Sequence, residues 1–131
     1  MTTVERHSSG GPWEDAFGYS RAVRTGDRII VSGCTAVRDG AAEHSDPAGQ
    51  ARSAFRTALE AVEALGGTVA DVVRTRMYLV HRSDADAVGR VHAELFGDVR
   101  PAASMLVVAA LILPELLVEV EVEAVVTEAA S

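Results

Sequence analysis

The chain has 131 residues, enough for one domain with a buried core, and carries 12 basic against 19 acidic side chains, a net charge of −7. That balance disfavours nucleic-acid binding carried by phosphate contacts, and no basic run offsets it. No apolar stretch is long enough to span a membrane, the opening residues lack the basic and apolar segments of a signal peptide, and Cys34 has no second cysteine to pair with, so a cytoplasmic protein is expected.

Residues 1–15 are polar and Gly-rich and read as an arm or loop, with Trp13 as the exception, a side chain that can close over a pocket. Phe17 to Arg24 reads as a strand with Phe17, Tyr19, Arg21 and Val23 on one side. Thr25-Gly26-Asp27 is a hairpin turn, and Arg28 to Cys34 is the partner strand. Gly33 near its end marks a bulge or a close backbone approach. Arg38 to Glu43 is either a short strand or a loop.

Ser45-Asp46-Pro47 is a helix start, a capping residue followed by Pro at the first helical position. Ala51, Ala54, Phe55, Ala58, Leu59, Val62 and Leu65 form its apolar stripe, and Gly66-Gly67 stops it. Val72 to Val80 is a strand in which Val73, Thr75, Met77 and Leu79 alternate with Arg74, Arg76 and Tyr78. A second helix follows, capped by Ser83 or Asp84, with Val88, Val91, His92, Leu95 and Phe96 inward and Gly97 at its end.

The last third is the most legible. Ala102 to Ala110 is apolar on both faces, as in a strand covered on both sides, with Pro101 at its start. From Leu117 the pattern is strict alternation: Val118, Val120, Val122, Ala124 and Val126 face one way, and Glu119, Glu121 and Glu123 the other. The whole predicts an α+β fold, a sheet of five to six strands with two helices packed on one face. Two helices cover one side only. The two-faced apolar strand therefore predicts self-association with closed symmetry, and Arg74 and Arg76 neutralise the glutamates if the two strands are neighbours, which the sequence leaves open. His7, His44, His81 and His92 are scattered, and neither a metal set nor a phosphate-binding loop is present, so no metal and no cofactor are expected.

Taken in order, Gly18-Tyr19-Ser20-Arg21-Ala22-Val23, Val31-Ser32-Gly33-Cys34-Thr35, Val73-Arg74-Thr75-Arg76-Met77-Tyr78-Leu79, Arg100-Pro101-Ala102-Ala103-Ser104 and Val120-Glu121-Val122-Glu123-Ala124 resemble the RidA family, also called YjgF or Rid. The resemblance runs from about Gly18 to Val126. It implies a chorismate-mutase-like fold for the single domain 1–131 and a homotrimer with clefts between subunits. It also implies a small-molecule metabolite as partner, with no nucleic acid and no membrane. RidA proper resembles an enamine/imine deaminase that hydrolyses 2-imino acids to 2-keto acids and ammonia.

The family grips the substrate carboxylate with an arginine in a Pro-Ala-Arg-Ser motif. Here the motif is Pro101-Ala102-Ala103-Ser104, and a methyl stands in place of the guanidinium. The glutamate that positions water matches Glu121, the first of Glu121-Val122-Glu123-Ala124, with Glu119 as the fallback. Tyr19, Ser32, Gly33, Cys34, Ala103 and Ser104 match positions lining the cleft, with Trp13 at its mouth. Loss of one charge-assisted contact costs about 1.5–3 kcal/mol, so the standard 2-iminopropanoate activity is not expected. The resemblance therefore implies an arginine-lacking Rid subgroup acting on, or binding, a small imine- or enamine-type metabolite. The alternatives are a non-catalytic binding module and a fold recruited for a specialised biosynthetic step.

Overall fold

Alternation places Val118, Val120, Val122 and Ala124 on one side of a strand, β8 (Val118–Val125), and all four are buried. In the computed structural model, which describes residues 3–127, that strand runs through the middle of a six-stranded sheet. The other strands are β1 (Val4–His7), β2 (Ala22–Thr25), β3 (Arg28–Cys34), β6 (Val72–Leu79) and β7 (Ala102–Val107), in the order β1-β2-β3-β8-β6-β7. Every pairing is antiparallel except the parallel edge pair of β6 and β7. A small hairpin, β4 (Val37–Arg38) and β5 (Ala41–Ala42), stands apart and resolves the Arg38 to Glu43 segment as strand.

The helices are α1 (Pro12–Phe17), α2 (Pro47–Ala64) and α3 (Ala85–Phe96). Asp46 caps α2 by accepting from the Gly49 amide at 2.8 Å, and Pro47 follows at the first helical position. Past its end, Gly66 takes φ 93 and Gly67 lets the chain pass the core: a Cβ there would meet Val62 Cγ1 at 2.9 Å and Ile29 Cδ1 at 3.0 Å. The alanines of its stripe (Ala51, Ala54, Ala58 and Ala61, all buried) let α2 lie close against β3 and β8.

Phe55 then reaches α3 and packs edge-on against Phe96, ring centroids 5.3 Å apart, and against His92 at 5.8 Å. Full burial of one such ring contributes roughly 1.5–3 kcal/mol. His92 is a core histidine: Nε2 sits 2.8 Å from Thr75 Oγ1, and burial lowers its pKa. The result is an α+β sheet with its two long helices on one face, as the element pattern predicts.

Three segments differ from the sequence expectation. Residues 1–15 are not an unstructured arm: β1 extends the sheet along β2, and α1 follows it. The strand expected from Phe17 is shorter, because α1 takes Phe17 and the strand proper begins at Ala22. In β6 the register against β8 shifts between Val72 and Arg74, so Val72 is buried and Val73 lies 45 % exposed. A one-residue slip of this kind exchanges the two faces.

The uncovered face carries Glu119, Glu121 and Glu123 of β8 beside Arg74, Arg76 and Tyr78 of β6. Arg28 and Arg76 flank Glu123, each 3.6 Å away, and the Tyr78 hydroxyl donates to Glu121. Strand β7 is the far edge, and within the protomer neither of its faces is covered: Met105, Leu106 and Val107 are all exposed. Gln50, fully buried at the start of α2, donates to the carbonyls of His44 and Glu115 and accepts from the Leu117 amide at 2.7 Å. Both ends of its amide are therefore satisfied.

Candidate functional site

The site grows from an irregularity in β3. Its ladder with β8 passes from Val31 opposite Val122 to Cys34 opposite Val120, three steps against two. The extra residue is a bulge at Ser32-Gly33 that turns this stretch out of the regular pleat. Ser32 Oγ donates to the Ser20 carbonyl at 2.6 Å, tying the bulge to the segment before β2. Gly33 leaves room for Glu119: a Cβ would collide with Glu119 Oε2 and lie 3.0 Å from its Cδ. Above the bulge opens a cavity of about 470 Å³, within the size range of small-molecule sites.

One wall comes from the N-terminal segment. Glu14, only 3 % exposed, accepts hydrogen bonds from Ser8 Oγ at 2.9 Å, from the Ser9 amide at 3.2 Å and from the Gly11 amide at 3.3 Å, with a further one from Ser9 Oγ. Its Oε2 lies 3.5 Å from Arg21 Nε. Burial opposes its ionisation, but the bonds from Ser9 and Ser8 and the charge of Arg21 outweigh burial and hold the carboxyl below the ordinary glutamate range. Arg21 is itself buried. Its NH1 donates to the Gly33 carbonyl at 2.7 Å and approaches Cys34 Sγ at 3.6 Å, while the guanidinium carbon sits 5.6 Å from the Tyr19 ring centre. Folding α1 over this pair carries Trp13 and Phe17 to the rim.

The opposite wall holds Glu119. It is half-buried and, among the described residues, has no hydrogen-bond partner. Burial, reinforced by the charge of Glu121 and partly offset by Arg21, raises its pKa. Cys34 lies beneath. Burial pushes its thiol up to about 11 despite Arg21, and Sγ donates to the Ser32 carbonyl at 3.3 Å, so at neutral pH it is a packed thiol rather than a nucleophile.

Of the residues singled out from sequence, Trp13, Tyr19, Ser32, Gly33 and Cys34 meet at this cavity. Glu121 does not: it lies two residues along β8 and is engaged by Tyr78, and the carboxylate at the cavity is the fallback, Glu119. Ala103 and Ser104 sit on β7, separated from β3 by β8 and β6, and do not line the protomer's cavity. Arg100, with φ 56, and Arg76, paired with Glu123, also stand elsewhere. The cation actually at the cavity is Arg21. Sequence reasoning missed it and its partner Glu14, although Gly11-Pro12-Trp13-Glu14 carries Pro at the first helical position and Glu at the third, a helix-start signal. Among the described residues no three His, Cys, Asp or Glu side chains are grouped to hold a metal ion, and no helix is long and apolar enough to cross a membrane.

A family model described as Endoribonuclease L-PSP matches residues 13–126. The chain is 46 % identical to a crystallised Mycobacterium tuberculosis member of the YjgF family, with a TM-score of 0.88 over 95 % of this chain and 100 % of that one. The chain belongs to the YjgF/Rid family. The Escherichia coli YjgF protein is similar at 30 % identity and a TM-score of 0.76, over 92 % of both chains. An uncharacterized Streptomyces coelicolor protein is 50 % identical over 92 % of this chain and 91 % of its own length. In this Rid chain the Glu14–Arg21 pair is buried beside the cavity, and Glu119 stands on the cavity wall without an ion-pair partner among the described residues.

Proposed function

We propose that the chain is a Rid-type hydrolase of small imines or enamines, one domain per subunit, belonging to a subgroup that lacks the family arginine. The observation that carries this reading is Glu119: a half-buried carboxylate with a raised pKa and no partner among the described residues, standing on the wall of a cavity of about 470 Å³. In imine hydrolysis the water oxygen bonds to the imine carbon while nitrogen takes up a proton. The carbinolamine then collapses, the carbon–nitrogen bond breaks, and ammonia leaves a carbonyl product. No electrons are exchanged, so the protein has only to place water and move protons. A carboxyl group titrating above its ordinary range is suited to both.

The homotrimer is part of this proposal. Ile30 and Leu106 lie exposed on the uncovered sheet face, and β7 presents an unpaired apolar edge; burial against two further copies would cover both. RNA cleavage, the activity in the family model's description, is not the reading adopted here. Net charge −7 and an uncompensated carboxylate at the cavity oppose a polyphosphate chain.

The test uses imines generated in situ by amino-acid and amine oxidases, with carbonyl release as the readout. Turnover of 2-iminopropanoate is expected at least tenfold below that of an arginine-bearing relative, with partial recovery in Ala103→Arg. On whichever imine is turned over, Glu119→Gln is expected to lower kcat about 100-fold. Equal rates with and without the Glu119 carboxylate would remove Glu119 from the reaction, and no carbonyl release from any imine would end the hydrolase reading and leave a cavity that binds without turnover.

A further inference from the structure

The charges around the cavity do not cancel evenly. Glu14 offsets Arg21 at 3.5 Å, inside a shell of serine and backbone donors. Arg21 is also committed geometrically. Its NH1 reaches the Gly33 carbonyl and Cys34 Sγ, while the buried Nε lies 3.5 Å from Glu14 Oε2 without a hydrogen bond of its own. A carboxylate or phosphate ligand is held well when two N–H groups of one guanidinium point at it in parallel, and here NH1 is already engaged by the protein. Glu119 is the reverse case. Among the described residues it makes no ion pair and takes no hydrogen bond, the charge of Arg21 offsets its surroundings only in part, and Gly33 leaves it clearance. The same cavity is lined by Trp13, Phe17, Tyr19 and Ile112.

We propose that this cavity takes a small organic cation, an amine or protonated imine with an apolar or aromatic body and no carboxylate, whose nitrogen is held by Glu119. The inference rests on the cavity being the ligand site, and names what that site selects. An N–H group on Glu119 makes a charge-assisted hydrogen bond in a partly dry setting, and the aromatic rim attracts cations through its ring faces while covering the apolar body. An anionic group would face the same carboxylate, and the charge of Arg21 is already offset by Glu14.

Three compounds of one shape and three charges test this: 2-phenylethylamine, 2-phenylethanol and 3-phenylpropanoate, titrated against the fluorescence of Trp13, the sole tryptophan and itself at the cavity. The amine is expected to bind at least tenfold more tightly than the alcohol, and the carboxylate more weakly than either. Glu119→Gln is expected to remove the amine's advantage. Glu123→Gln, the same change of net charge on the open sheet face, is expected to leave it within twofold. A Trp13 response to 3-phenylpropanoate equal to or stronger than that to the amine overturns the inference while keeping the cavity as a ligand site. An amine advantage that survives Glu119→Gln overturns it as well. No response to any of the three removes both the ligand class and the cavity reading.

Discussion

Two carboxylates near one cavity, Glu14 buried behind its N-terminal wall and Glu119 on its lining, have opposite surroundings. Glu14, on the segment folded over from the N-terminus, is almost wholly buried, takes four hydrogen bonds and sits beside a guanidinium. Glu119, on the central strand, is half-buried with no donor of its own among the described residues. The first is held below the ordinary glutamate range and the second above it. A carboxylate surrounded by donors is a structural anchor, whereas one left without them is free for proton transfer or for a ligand. The Glu14 side of the cavity is therefore built for stability, and the Glu119 side gives up some stability for chemistry.

The largest effect expected is on the anchor. Glu14→Ala leaves Arg21 buried without its partner and is expected to cost about 3 kcal/mol, read from the urea midpoint at constant slope. Because the folded pKa of Glu14 is lowered, its contribution is present above the ordinary glutamate range and is lost as pH falls through the lowered value. The stability gap between the natural chain and Glu14→Gln should therefore close in acid. A gap that persists there would make the segment's hold a matter of packing rather than charge.

Gly33→Ala comes next and acts on the other wall. The added methyl meets the end of a flexible side chain, so a stability loss of about 1 kcal/mol is expected. Ligand response or turnover should fall at least tenfold, because Glu119 must swing away. Unchanged function would mean that the position of this carboxylate is not critical. The smallest effect is Glu119→Gln on stability. Its folded pKa is raised, so the charged form is disfavoured by folding, and the penalty appears as pH rises through that value. The substitution should raise Tm at pH 7 on the order of 2 °C, and this gain should vanish in acid. A lowered Tm would place Glu119 among the anchors.

Much of this arrangement is legible from residues alone. The period-two run in β8, the Asp46-Pro47 start of α2 and the bulge signalled by Gly33 all rest on local chemistry that the sequence displays. What is not legible depends on register. Val73 belongs by alternation to the buried face, but a slip against β8 turns it outward and Val72 inward. The same kind of slip in β3 puts Glu119 rather than Glu121 beside the bulge, and no pattern along β8 distinguishes two glutamates that alternate identically. Arg21 reads as one more residue on a strand until α1 folds over it and supplies Glu14.

Gln50 gives the cavity an asymmetry of its own. Through Glu115 and Leu117 it clamps the segment that carries Ile112 to the first turn of α2, so that side of the opening is riveted to the core. The facing side is a six-residue helix hung on one ion pair and a few serine bonds. That wall converges on a single side chain, Glu14.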